Sequence, residues 1–194
     1  MSSFAPLLFF IRTALGRFRC SRRGSAAVEF ALIAPVFIAL LFAIIETSLM
    51  FLASDYLESI NDNAARLIRT GQAQSTYPNV GAYLTQVICN PAPALFTCNP
   101  SNGTSNGISV DVKSYSSFQT MSVSSQIVGG NFDTSTLSYN LGGSCDVVVA
   151  RLFYKWPLFV TRLGLNLSNL NGNQRLLTAT AVFRNEPYGG ACGT

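Results

Sequence analysis

The chain contains no histidine. That removes the side chain that most often acts as a general base, the commonest neutral metal ligand, and every serine–histidine or cysteine–histidine nucleophile pair. Charge is scarce too: Asp, Glu, Lys and Arg make up 11% of the 194 residues, where a soluble domain carries about a quarter. With 48% apolar residues and a mean hydropathy of +0.31, neither a highly charged soluble protein nor a disordered chain fits. The five cysteines include no Cys-x-x-Cys pair, which argues against a zinc site and against dithiol redox catalysis. The first 24 positions hold no acidic residue, while five arginines (Arg12, Arg17, Arg19, Arg22, Arg23) lie there.

The net charge of +4 belongs to that first stretch, because beyond it eight basic groups face nine acidic ones. A nucleic-acid binder spreads its arginines over a folded face. A basic stretch directly before an apolar run instead marks a cytoplasmic flank. Residues 31–45 carry no charged or hydrogen-bonding side chain (ALIAPVFIALLFAII), and apolar character resumes after Glu46, Thr47 and Ser48. A window over residues 30–49 has the length of about 20 that crosses a bilayer as a helix. Glu46 then lies about one turn from the outer end, placed for the headgroup region or for contact with a partner helix. No small-residue pair near the outer end suits a signal-peptide cut, so the segment is expected to stay attached.

Helical spacing continues through Leu57, Ile60, Ala64, Leu67 and Ile68, and Gly71 is a natural stop. The pattern predicts a helix over 27–70, apolar all round in its first half and amphipathic in its second, with a kink or local unwinding at Pro35. The cues after Gly71 are β-like. Ile108, Val110 and Val112 alternate with polar residues, 147–156 is a β-branched and aromatic run, and Leu177, Ala179, Ala181 and Phe183 alternate again. These predict three strands in a small antiparallel sheet, packed on the helix through Leu57, Ile60, Ala64 and Leu67. Residues 119–144 are rich in Ser, Gly and Asn and read as a packed loop, a disordered one or a partner-binding surface.

The junction reads Arg22-Arg23-Gly24-Ser25-Ala26-Ala27-Val28-Glu29-Phe30. A glutamate at the mouth of an apolar helix is costly unless something neutralises it. Cutting after Gly24 would make Glu29 the fifth residue and give Ser25 a free α-ammonium, a partner for the Glu29 of a neighbouring helix. The arrangement resembles the prepilin processing site of type IV and Flp pilins. The run from Ser25 to Phe37, then Ile44-Ile45-Glu46, then Asn63-Ala64-Ala65-Arg66, closely resembles the TadE-like family, minor pilins or pseudopilins of the tight-adherence (Tad/Flp) pilus. The C-terminal stretch from Leu177 to Tyr188 looks like the end of such proteins. Phe30 in place of the tyrosine common in major Flp pilins, and the large domain after residue 71, favour a minor component.

The resemblance implies a prepilin peptidase acting at Gly24 and Ser25, with Glu29 and Phe30 serving assembly. It implies partners among other pilin-like subunits, the pilus assembly machinery and the inner membrane, with no nucleic acid. The N-terminus would be cytoplasmic and the C-terminal domain periplasmic, with incorporation into a surface pilus open. The expected organisation is a basic leader (1–24), a transmembrane and pilin-like helix (25–71) and an extracytoplasmic β-rich domain (72–194): an α+β, pilin-like fold. Removing Cys20 with the leader leaves Cys89, Cys98, Cys145 and Cys192, read as two disulfides. Of three possible connectivities, Cys89–Cys98 with Cys145–Cys192 is preferred. No metal, cofactor or catalytic set is expected. An unprocessed single-pass anchored periplasmic binding module is the alternative. A hydrolase using Asp111, Asp133 or Asp146 is a third reading, set against solvated loop or strand positions for those carboxylates.

Overall fold

The computed structural model describes residues 23–92, 94–99, 101–102, 107–159, 166–188 and 192. The expected leader lies outside these apart from Arg23 and Gly24. The architecture is α+β: a long N-terminal helix followed by a small antiparallel sheet domain. Helix α1 is Arg23–Arg69 and runs without a break through Pro35. The unwinding expected there does not occur; a proline forfeits one backbone hydrogen bond, and the turns on either side keep the segment helical.

The chain divides into two compact units, residues 1–44 and 45–194. The described part of the first is helix whose side chains are almost all exposed, among them Val28, Phe30, Leu32, Ile33 and Phe37. In the second, α1 buries Met50, Ala53, Leu57, Ile60, Ala64 and Ile68, the three-and-four spacing of one helix face. Full burial of a side chain such as Leu57 or Ile68 contributes about 1.5–3 kcal/mol. The helix ends where Gly71 takes φ +79°, and a Cβ at that position would meet the Tyr188 ring at 2.5–2.8 Å. Backbone conformation and close approach both require glycine there.

The segment after Gly71 is not purely β-like. It forms α2 (Gln72–Thr76), α3 (Val80–Tyr83) and a π-helical turn (Leu84–Cys89) before the first strand. The signal was present in Val80, Tyr83, Leu84, Val87 and Ile88, which recur at helical spacing, and in Asn79, whose side chain caps α3 by accepting from the Ala82 N–H at 2.8 Å. Five strands follow: β1 (Ser109–Tyr115), β2 (Ile127–Val128), β3 (Asn131–Phe132), β4 (Val147–Pro157) and β5 (Gln174–Arg184).

The main sheet has the order β1-β4-β5, all antiparallel. Its central strand β4 is buried on both faces through residue 154, which is why 147–156 reads as a near-continuous apolar run. One face (Val148, Ala150, Leu152, Tyr154, Trp156) joins the helix in the main core. The other carries Phe153, which packs with Leu170, Leu176, Ile127, Phe132 and Leu137. The region 119–144 is therefore the packed alternative. Its hairpin turns at Gly129 and Gly130, with φ +58° and +77°, the two positive φ values a tight two-residue turn needs. It also covers the outer edge of β1, where the Val112 N–H donates to the Ser138 carbonyl and the Asn140 N–H to the Val112 carbonyl, both at 2.8 Å.

Candidate assembly segment

Gly24 lies in the first turn of α1 in an exposed position, and apart from its neighbours and its own helix backbone nothing stands within 4 Å of where a Cβ would be. The Gly24–Ser25 bond thus lies at the start of a helix with open space around the glycine. Glu29 is exposed one turn further on, and Phe30 is 73% exposed. From Ala26 to Arg69 the helix contains a window of mean hydropathy 2.7 of which 6% is buried. Length and composition suit a single bilayer crossing. A core helix of a soluble domain would be mostly covered by its own protein.

Glu46 is partly buried, and its carboxylate accepts a hydrogen bond from the backbone N–H of Phe159. A partner within its own chain was invisible to sequence reading, because the two residues are 113 positions apart.

The cysteines pair as preferred. Cys89–Cys98 has Cα atoms 5.6 Å apart and joins the π-helical turn to the segment after it. Cys145–Cys192, at 5.5 Å, ties the C-terminal tail to the residues leading into β4. Among the described residues no cluster of His, Cys, Asp and Glu has metal-binding geometry.

Asp111 is not at a solvated strand position; it is 1% exposed. Cross-strand pairing sets it opposite Arg151, whose Nε and Nη2 donate to its Oδ2 at 3.1 and 2.5 Å. The Ser138 N–H donates to Oδ1 at 2.8 Å, and Arg151 Nη1 donates to the Ser124 carbonyl at 2.8 Å. The ion pair thus pins the 119–144 layer to the sheet. Asp133 accepts from the Ser135 hydroxyl and N–H, and these bonds hold its carboxyl below the usual range. Asp146 accepts from the Gly143 N–H at 2.8 Å. Each carboxylate serves a local turn or pair.

The strongly shifted phenols are structural as well. Burial pushes Tyr83 far above its ordinary value and Tyr139 up to about 12. Their rings meet at a 50° tilt with centroids 5.5 Å apart, and the Tyr139 hydroxyl donates to the Tyr77 carbonyl at 2.9 Å. The cluster holds α2 and α3 against the 119–144 layer.

Residues 24–66 match the family described as TadE-like protein. The match begins at Gly24 and covers the exposed apolar helix and most of its amphipathic continuation. No curated protein matches the chain, and no solved structure does.

Proposed function

With residues 24–66 a TadE-like segment, we propose that the chain is a minor pilin or pseudopilin-type structural subunit of a Tad/Flp pilus system, made as a precursor and cut after Gly24 by a prepilin peptidase. The observation that carries the reading is the junction. A glycine and, five residues on, a glutamate followed by an aromatic sit at the head of an exposed apolar helix, and the family match starts at that glycine. A plain membrane anchor needs neither Gly24 nor Glu29. The five leader arginines keep the N-terminus in the cytoplasm, which sends the disulfide-bonded domain to the periplasm. There the two cystines persist, and the domain is free to meet other pilin-like subunits.

The chemistry of this protein is then to be a peptidase substrate and afterwards to pack by its helix. After the cut, the α-ammonium of Ser25 is a new cation at the level of Glu29 on adjacent helices, and Phe30 adds apolar area beside it. Intact-mass and N-terminal sequencing of the chain isolated from its native inner membrane tests the proposal. Ser25 is the expected first residue. An N-terminus that still carries the leader, in cells with an active prepilin peptidase, contradicts it.

A further inference from the structure

We propose that the segment at residues 157–159, where strand β4 ends, is a second membrane contact, seated at the depth of the outer interface and latched by Glu46. The inference rests on the reading of α1 as a membrane span and goes beyond it.

Strand β4 ends at Pro157, which has no N–H to extend the ladder. The chain buries Trp156 and Leu158 and then turns Phe159 outward at 85% exposure, the highest value among the exposed large apolar residues. A phenylalanine left in water at the end of a well-packed strand forgoes the burial that an aromatic ring normally obtains. The backbone fixes its position: the Phe159 N–H donates to the carboxylate of Glu46. Glu46 is the first charged residue after the uninterrupted apolar run of 31–45, within the last turn of the 30–49 span. The segment is therefore held at the depth where hydrocarbon gives way to headgroups.

The helix around Glu46 adds to the same environment, for Ile45, Leu49 and Leu52 are 54%, 43% and 46% exposed. Phe159 and these residues are all exposed apolar groups near Glu46 in sequence or through its hydrogen bond, and a lipid interface is the medium that covers such groups. Glu46 suits that depth. Its carboxylate has a backbone donor and stands close enough to the headgroups to stay hydrated.

Depth-dependent fluorescence quenching tests this on the full chain in phosphatidylcholine–phosphatidylglycerol nanodiscs, with bromines placed either high on the acyl chain or near its methyl end. The variant is Phe159→Trp, whose indole replaces an exposed ring; the buried native Trp156 is subtracted using wild type. High-placed bromines are expected to quench the added indole about twofold more than deep ones. A Phe37→Trp variant reports on the span itself and is expected to respond most to the deep bromines. Quenching of Phe37→Trp without quenching of Phe159→Trp overturns the interfacial contact and leaves the span standing. Quenching of neither removes the span, and the contact with it. Adding Glu46→Ala to Phe159→Trp is expected to lower its quenching by about half, as a loosened segment samples water. Unchanged quenching overturns the latch.

Discussion

Arg151 and Asp111 show how a residue's role depends on what lies above it. In sequence, Asp111 is the polar member of an alternating strand and reads as solvent-facing. In the fold, a loop layer covers that face, and the aspartate is paired, hydrogen-bonded and closed from water. Lys113 adds a weaker ion pair to the same oxygen at 3.7 Å. Removing one partner of a buried pair leaves the other charge uncompensated, at a cost of about 3–5 kcal/mol. Asp111→Ala is therefore expected to lower stability by about that much in denaturant unfolding of the full chain in detergent micelles. Asp111→Asn, which keeps an acceptor for the Ser138 N–H, should cost less. Equal stability of Asp111→Ala and wild type would falsify a structural role for the pair. The exposed pair of Arg69 and Glu186, at 3.3 Å and about half exposed on both sides, is worth about 0–1 kcal/mol by contrast. Its neighbourhood is held by the Gly71–Tyr188 approach and by the Glu186 N–H donating to the Arg69 carbonyl at 2.8 Å.

Among the elements, α1 and the main strands were legible because their signals are periodic and local. The stop at Gly71, the 3.6-residue stripe from Leu57 to Ile68 and the three strand patterns all fall where the structure has them. The short helices between residues 72 and 89 were overlooked although Asn79 and the 80–88 spacing announced them, and the β2–β3 hairpin although Gly129-Gly130 marked its turn. The two disulfides brace different scales of structure. Cys89–Cys98 closes a sequence separation of 9, Cys145–Cys192 one of 47. Chain-entropy reasoning assigns about 3 kcal/mol to the first and about 4 kcal/mol to the second. Replacing both Cys145 and Cys192 by serine should therefore destabilise the domain more than the corresponding change at Cys89 and Cys98, by about 1 kcal/mol. Denaturant midpoints of the two double variants, measured side by side, check the order. The reverse order would show that native-state packing around the shorter loop outweighs chain entropy.

At the scale of the whole molecule, the two units carry different obligations. The described residues of 45–194 form apolar clusters on both faces of one sheet, while Phe159 and the helix residues Ile45, Phe51 and Leu52 stay exposed. The helix over residues 26–44 exposes its apolar side chains and depends on lipid or neighbouring helices to cover them. Glu29 belongs to that outward-looking part, so its effect should appear in assembly rather than folding. On the proposed pilin reading, Glu29→Gln is expected to leave leader cleavage, membrane insertion and both disulfides intact, while weakening co-purification with other pilin-like subunits and reducing piliation. Water-excluded packing of helices is what makes the lost charge matter. A carboxylate acting only on the helix dipole would be worth about 0.3–1 kcal/mol, and normal piliation by the variant would support that smaller role. The sequence by itself determined the membrane-length helix, the α+β order and the likeness to TadE-like proteins, since each is written in composition, short spacing or period. Only the tertiary structure decided that Asp111 is buried against Arg151, that a loop layer makes β4 a doubly covered strand, and that Phe159 is held by Glu46. Those pairings join residues 40 and 113 positions apart. Strand order and register bring them together, and no local pattern in the chain encodes either.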